Sequence, residues 1–341
     1  MDTCVRVVIV TFNNAPDILE CLESILSQKS VRPEVVVVDN ASTDSTVELI
    51  RSKFPEVKVI QNKENMGFGH ACNEGIEGLT SDYVAFVNPD TLSDPSFLSC
   101  AISELISVPL AGACQARMML YDCRERVNSH GNEANILLFS WPNGYMELVP
   151  PNDMPRKIPY ASGCAAVYTR ICLEGIGGFD DLFFMYFEDV ELGLRAQLAG
   201  YDSRYSPSSV VYHKYRFKES PQRYFLLERN RILTMLIVFR KRTILAISPL
   251  AIAVELGVLA EAFFGGWYVE KIAAYGSLLR HAGHVLRKRR IVRDLRVRHD
   301  KELVQSLRGG VTFFPLRESA IVGIANRLFE KYRVFLLNMD I

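Results

Sequence analysis

The chain has no C-x-x-C pair, no basic leader ahead of its first apolar run, and no dinucleotide fingerprint of glycines after its first strand. Each absence removes a class. Eight cysteines (Cys4, Cys21, Cys72, Cys100, Cys114, Cys123, Cys164, Cys172) are scattered, which disfavours a zinc site or a disulfide framework and suits a reducing compartment. Met1-Asp2-Thr3-Cys4 offers no positive charge, so the run behind it reads as a buried strand rather than a signal peptide, and the N-terminal part is expected in the cytoplasm. The Gly67-Phe68-Gly69 loop comes late and lacks the third glycine, while the first turn is Thr11-Phe12-Asn13-Asn14, so a NAD enzyme is disfavoured. Thr11 to Pro16 holds no Lys or Arg to grip a triphosphate. No Ser–His or Cys–His arrangement is evident, so the sequence points to no covalent enzyme nucleophile.

What is present is a chain of 341 residues, 49% apolar and 23% charged, enough for a sizeable core. Its net charge of zero hides an asymmetry: residues 1–200 carry 14 basic and 27 acidic side chains, residues 201–341 carry 25 and 12. A basic, partner-binding C-terminal part is expected, with the domain boundary near residue 240: 1–240 and 241–341.

Val5 to Val10 is a continuous β-branched run without alternation, as in a parallel strand covered on both faces, Val35 to Val38 reads as a second buried strand, and Val57 to Ile60 and Tyr83 to Val87 as the third and fourth strands. Helical spacing separates them (Ile18, Leu22, Ile25, Leu26; then Val47, Ile50, Phe54), predicting a doubly wound α/β sheet. Ligands sit at the carboxyl ends of such strands, here Thr11–Asn14, Asp39–Asp44 and Asn88-Pro89-Asp90. A helix over Phe97 to Ile106 and a strand around Ala111 to Met119 follow. Tyr121 to Tyr160 has no regular pattern and reads as a lid or acceptor-binding excursion. Ala161 to Tyr168 returns as a core strand. Gly177-Gly178-Phe179-Asp180 then leads through an aromatic run into Glu188-Asp189-Val190-Glu191, acids at a helix start where its positive end favours them. A last strand is expected at Ser209 to His213, and a helix from Arg223 to Arg240 with Glu228 to Arg231 on its polar side.

Ile244 to Phe264 is 21 residues with two charges, Glu255 and Glu261, and one proline, Pro249. Its length suits a membrane span, whereas each acid near a bilayer centre costs roughly 2.5–3.5 kcal/mol; a helix lying in the interface is the comparable reading. Arg280 to Arg298 holds eight Arg or Lys against Asp294. No aromatics are interleaved for base stacking, so anionic phospholipid is preferred over nucleic acid, at about 1 kcal/mol per basic residue.

Together, Val8-Ile9-Val10-Thr11-Phe12-Asn13, Val37-Val38-Asp39-Asn40-Ala41-Ser42-Thr43-Asp44, Asn65-Met66-Gly67-Phe68-Gly69, Asn88-Pro89-Asp90, Gly178-Phe179-Asp180 and Phe187-Glu188-Asp189-Val190-Glu191-Leu192 resemble the family 2 inverting glycosyltransferases of GT-A fold, in particular their rhamnosyltransferase-like branch. The resemblance spans about residues 5–235. It implies a Rossmann-like, mostly parallel sheet with flanking helices, followed by a helical, basic, membrane-associating tail. It also implies transfer of a hexose or deoxyhexose such as rhamnose from a dTDP-, UDP- or GDP-sugar to a glycan or lipid-linked acceptor, in cell-surface polysaccharide synthesis at the cytoplasmic side of the membrane. By the same resemblance Thr11, Asn13 and Asp39 hold base and ribose, Asp39 facing the base, and Asn65, Gly67 and Asn73 lie along the nucleotide. Asn88 and Asp90 occupy the D-x-D position, with Asn in place of the first acid. Ligation of Mg²⁺ or Mn²⁺ then rests on Asp90, with His213 as a second candidate or a plain strand-end residue. Glu188-Asp189 matches the acid pair, with Asp189 the general base. The rivals are a nucleotidyltransferase and a non-catalytic membrane-bound scaffold; the scaffold would be expected to lack the acids at 90, 188 and 189.

Overall fold

A computed structural model describes residues 3–216, 219–313, 320–339 and 341; Met1 and Asp2, read above as offering no basic leader, lie outside them. The elements are β1 (Thr3–Thr11), α1 (Ile18–Leu26), β2 (Val31–Asp39), α2 (Thr46–Lys53), β3 (Lys58–Gln61), α3 (Phe68–Gly75), β4 (Tyr83–Val87), β5 (Thr91–Ser93), α4 (Phe97–Ser107) and β6 (Ala111–Leu120). Then come β7 (Val127–Ser129), β8 (Asn132–Ala134), β9 (Ser140–Pro142), β10 (Arg156–Ile158), β11 (Ala165–Thr169), α5 (Arg170–Ile176), α6 (Glu188–Leu198) and β12 (Asp202–His213). Five helices in sequence follow: α7 (Pro221–Val238), α8 (Lys241–Phe264), α9 (Tyr268–Arg280), α10 (Ala282–Leu295) and α11 (Asp300–Ser306). The described residues end with α12 (Ala320–Leu337).

The central sheet runs β10-β12-β6-β11-β4-β1-β2-β3. β1, β2, β3 and β4 are mutually parallel, as are β6 and β12, and β11 is antiparallel to both its neighbours. The alternating βα pattern dictates this order, because each helix buries its apolar stripe on a sheet face. Ile18, Cys21, Leu22 and Ile25 of α1 are fully buried on one face with Phe97 and Leu98; Ala71, Cys72 and Phe86 pack on the other. The carboxyl ends of β1, β2 and β4 thereby open on one edge.

Two expectations change. The final strand starts at Asp202, seven residues before Ser209, with register breaks around Asp202 and between Ser206 and Val210 that Pro207 and two serines disguise in the sequence. The irregular Tyr121–Tyr160 stretch resolves into short strands, β8 pairing with β9 and β7 and β10 joining the main sheet. A third core joins Ile136 to Leu138, α6, α7 and the C-terminal helices, so the tail is packed against the sheet-bearing part of the chain.

Candidate active site

The site is assembled from strand ends and one helix start. Thr11 Oγ1 donates to Asp39 Oδ1 at 3.0 Å, and Ser42 donates its backbone N–H to Oδ2 at 3.0 Å and its hydroxyl to Oδ1. Asn13, at φ 57°, accepts from the backbone N–H groups of Thr43 at 2.8 Å and Asp44 at 3.3 Å. These bonds tie the loop after β1 to the loop after β2, and bring Thr11, Asn13 and Asp39 together.

Asn65, Gly67 and Asn73 do different work. Asn65 Oδ1 accepts from Gly67 N–H at 3.0 Å. Gly67 sits at φ 88°, and a Cβ there would lie 2.4 Å from the Phe184 carbonyl oxygen, so the glycine is required by the chain's own loop. Asn73 donates to the Phe179 carbonyl at 3.0 Å and accepts from its N–H at 2.9 Å. Gly67 and Asn73 touch the Gly178–Phe184 segment that leads to the acids, and Asn65 fixes the Gly67 loop.

Asn88 follows β4, its N–H donating to the Cys164 carbonyl at 2.8 Å. Next to it, the pairing of β5 with β12 sets His213 opposite Thr91, so His213 Nε2 stands 3.4 Å from Asp90 Oδ1. The other ring nitrogen, Nδ1, bonds Asn128 Oδ1 at 3.0 Å; an acceptor there keeps the proton on Nδ1 and turns Nε2 toward Asp90. Burial opposes charge on His213, but Cys164 and the Asp90 carboxylate beside it outweigh that and raise its pKa well above the ordinary histidine value, so the ring alone holds a second proton on Nε2 that a bound cation would have to displace. Asp90 Oδ1 is shielded from solvent yet accepts no hydrogen bond among the described residues. A shielded oxygen without a donor, facing an imidazole nitrogen, suits a hard divalent cation. Among the described residues no group of three His, Cys, Asp or Glu that could hold a metal ion is found; Asp90 and His213 stand as a pair.

Glu188 and Asp189 open α6 after a loop in which Phe184, Tyr186 and Phe187 all have φ between 62° and 67°. Asp189 Oδ2 accepts from Gly163 N–H at 3.1 Å and Oδ1 from Val190 N–H at 2.8 Å. Desolvation nevertheless pushes Asp189 up to about 6, and desolvation together with Asp189 pushes Glu188 to about 8. Glu188 Oε2 accepts no bond among the described residues. Both acids line a cavity of about 230 Å³ with Trp141, Tyr160, Tyr186, Tyr215 and His213. Glu191, by contrast, is structural: Arg195 grips it with Nε at 2.9 Å and a second nitrogen at 2.7 Å, both side chains buried.

Sequence reasoning missed the residues that hold the strained loop. Asn230 donates to the carbonyls of Phe183, Met185 and Tyr186 at 2.7–2.9 Å, and Arg229 to those of Leu182 and Phe183. The tetrad Glu228 to Arg231, expected on a polar outer side, is buried because its partners are backbone carbonyls and ion pairs within the protein. A run of four polar residues inside an apolar helix was the signal available. Asn128 had none.

A Rossmann-like sheet with a strand-end acid and an opposing acid pair at a helix start defines a sugar-nucleotide transferase of GT-A type. The sequence model of Glycosyl transferase family 2 matches residues 6–177, and the chain belongs to that family. It is a glycosyltransferase that uses a nucleotide-sugar donor, of the rhamnosyltransferase-like kind. It is 30% identical over 238 residues to the N-acetylglucosaminyl-diphospho-decaprenol L-rhamnosyltransferase of Mycobacterium tuberculosis, covering 62% of this chain and 76% of the relative. Among solved structures it resembles a mannosyltransferase of Pyrobaculum calidifontis in complex with GDP-Man and Mn²⁺ (22% identity, 85% and 84% of the two chains, TM-score 0.52). It also resembles S. aureus TarS in complex with UDP (17%, 98% and 90%, TM-score 0.53). At such identities the two structures speak for the fold.

Proposed function

We propose that this enzyme transfers a hexosyl or deoxyhexosyl unit, such as L-rhamnosyl, from a dTDP-, UDP- or GDP-sugar to a hydroxyl of a lipid-linked glycan, with inversion, at the cytoplasmic side of a membrane. The observation that carries this is the sharing of one cavity by Asp189 and His213, with His213 facing Asp90. In this reading residues 1–240 are the catalytic domain and 241–341 the membrane-facing part. Thr11, Asn13 and Asp39 cradle base and ribose, and Asn65, Gly67 and Asn73 flank the nucleotide, with Gly67 and Asn73 against the Gly178–Phe184 loop. The lipid-linked acceptor is supported by the activity of the mycobacterial relative.

Asp189 takes the proton of the acceptor hydroxyl as that oxygen forms its bond to the anomeric carbon. The bond from the anomeric carbon to the diphosphate oxygen breaks on the opposite face, and the nucleoside diphosphate departs with the electron pair. A carboxyl raised to about 6 is ionised at neutral pH yet remains a stronger base than an ordinary aspartate. Glu188, at about 8, keeps its proton there and adds no second charge. Asp90 and His213, with Asn88 beside them, would hold Mg²⁺ or Mn²⁺, which when bound stabilises charge on the leaving diphosphate.

Thermal shift against UDP, GDP, dTDP and CMP, with and without Mn²⁺ or Mg²⁺, tests the donor site. Stabilisation by one nucleoside diphosphate that depends on the ion is expected; stabilisation by none would sink the reading. Radiolabelled donors with membrane extract then identify sugar and acceptor.

A further inference from the structure

We propose that the outward face of α8 is a docking surface for an anionic bilayer, on which the protein rests with this helix in the membrane plane instead of crossing it. The inference deepens the membrane side of the function proposed above and rests on it. Leu245, Ile252, Leu256 and Phe263 are 61–71% exposed. Their spacing of seven, four and seven residues puts them in a single row, about 27 Å long at ~1.5 Å per residue. Phe264 and Val269, 87% and 73% exposed, add apolar surface beside its end and past the turn into α9. Lys241 and Arg242, both exposed, flank the row's start, Lys241 one turn before Leu245.

The helix is long and apolar enough to cross a membrane, with a mean hydropathy of 2.1, but its other side is committed to protein. Thr243 Oγ1 donates to Asp300 Oδ2 at 2.6 Å, Ile247 is fully buried, and Tyr332 donates to the Ala246 carbonyl. Glu255 accepts from Lys271 Nζ at 2.7 Å, from Tyr275 at 2.6 Å and from Arg231. A span would strip these bonds, whereas an in-plane helix keeps them and sinks only its outer row, the geometry of interfacial helices. A second copy fits less well. Within α8 the row has Lys241 and Arg242 at its start and no acid on the same face: Glu255 turns inward, and Glu261, though exposed, lies about 160° around the helix from Leu245 at ~100° per residue. Copies packed with these rows in parallel register would set Lys241 and Arg242 against one another.

Part of the basic run of the tail is not free to join. Lys288 pairs with Asp180 at 3.3 Å, Arg289 donates to the Leu236 carbonyl, Arg296 to Asp300, and Arg298 to Asp202 at 2.6 Å. Lys241, Arg242, Arg280, Arg287, Arg290 and Arg293 are among the exposed cations of this region.

The test uses the full chain in flotation with vesicles of phosphatidylcholine alone or mixed with phosphatidylglycerol. Binding to the anionic vesicles, release by alkaline carbonate, and loss of binding in Leu256→Glu are expected. Lys241→Ser/Arg242→Ser should weaken anionic binding by roughly tenfold or more. Nucleoside diphosphate binding, measured on the same proteins, should be unchanged, which shows that the variants fold. No flotation, carbonate-resistant membrane retention, or a lipid-free dimer abolished by Leu256→Glu would each overturn the proposal. Flotation without nucleotide binding in the parent protein would instead overturn the donor reading and leave the surface standing.

Discussion

The Asn230 side-chain amide donates to the Tyr186 carbonyl at 2.7 Å, two residues ahead of Glu188. Its companions on Phe183 and Met185 hold a loop whose residues 184, 186 and 187 occupy left-handed backbone conformations without being glycine. Such conformations cost on the order of 1–3 kcal/mol each and persist only where surroundings impose them. Here the imposing groups are the buried Asn230 amide and, on the Leu182 and Phe183 carbonyls, Arg229, and the object held is the approach to Glu188 and Asp189.

Asn230→Ala should therefore act on chemistry through geometry. We expect kcat to fall at least tenfold with donor affinity little changed, and the melting temperature to drop because several carbonyls lose their donor, at about 1–3 kcal/mol for each group left unsatisfied. Asn230→Asp should do no better, since a carboxylate cannot donate to carbonyls. Steady-state kinetics at varied acceptor, beside nucleotide titration, separates this from simple unfolding. Equal losses in donor affinity and kcat would refute the positioning role.

The acid pair sets a pH profile. The base must be ionised, so kcat/KM should fall as pH drops through about 6, and Asp189→Asn should cut transfer by orders of magnitude while donor binding survives. Near-normal transfer by that variant would remove Asp189 from the mechanism.

Stability should move the opposite way. Glu188 has its folded pKa raised from 4.5 to about 8, so above pH 4.5 the unfolded chain gives up this proton more readily than the folded one, and stability declines as pH rises toward 8. Glu188→Gln removes the penalty. Its melting temperature should exceed the parent's at pH 8, with the difference shrinking toward pH 5. A pH-independent difference would mean that the glutamate is not held protonated by its surroundings.

Metal dependence should track two residues. Asp90→Ala and His213→Ala should each abolish the extra thermal stabilisation that Mn²⁺ adds to a nucleoside diphosphate, and Asn128→Ala should weaken it, because Asn128 fixes which imidazole nitrogen faces Asp90. An unchanged ion response in Asp90→Ala would exclude it as a ligand.

Much of this site was legible because its residues sit at the ends of strands that β-branched runs announce, and Thr11, Asp39 and Asp90 fall at those ends. The acid pair was legible as charge at a helix start. The clamp was not. Asn230 and Asn128 act through a backbone carbonyl or a ring nitrogen more than forty positions away, and helical periodicity carries no record of such partners. Gly67 was legible as a special position but not for its reason, which is the Phe184 carbonyl packed against it. Pattern shows where a side chain points; partners across the fold show what it holds.

The last prediction concerns the ion cluster that ties α8 and α9 to α7. Lys271, fully buried, donates to Glu228 and, at 2.7 Å, to Glu255, while Arg231 bonds the same two acids. Two cations face two acids in a nearly closed setting, so removing one leaves an uncompensated charge. Lys271→Met should destabilise by about 3–5 kcal/mol, the usual effect of breaking a buried pair from one side. Deleting the facing acid as well, in Lys271→Met/Glu255→Leu, should recover a good part of that loss, because Arg231 and Glu228 remain at 2.9 Å as a matched pair. Chemical denaturation of the parent, the two single variants and the double variant closes the cycle. A double variant no more stable than the sum of its single losses would mean that Glu255 and Lys271 are not coupled, and that this ion pair does not hold α8 to α9.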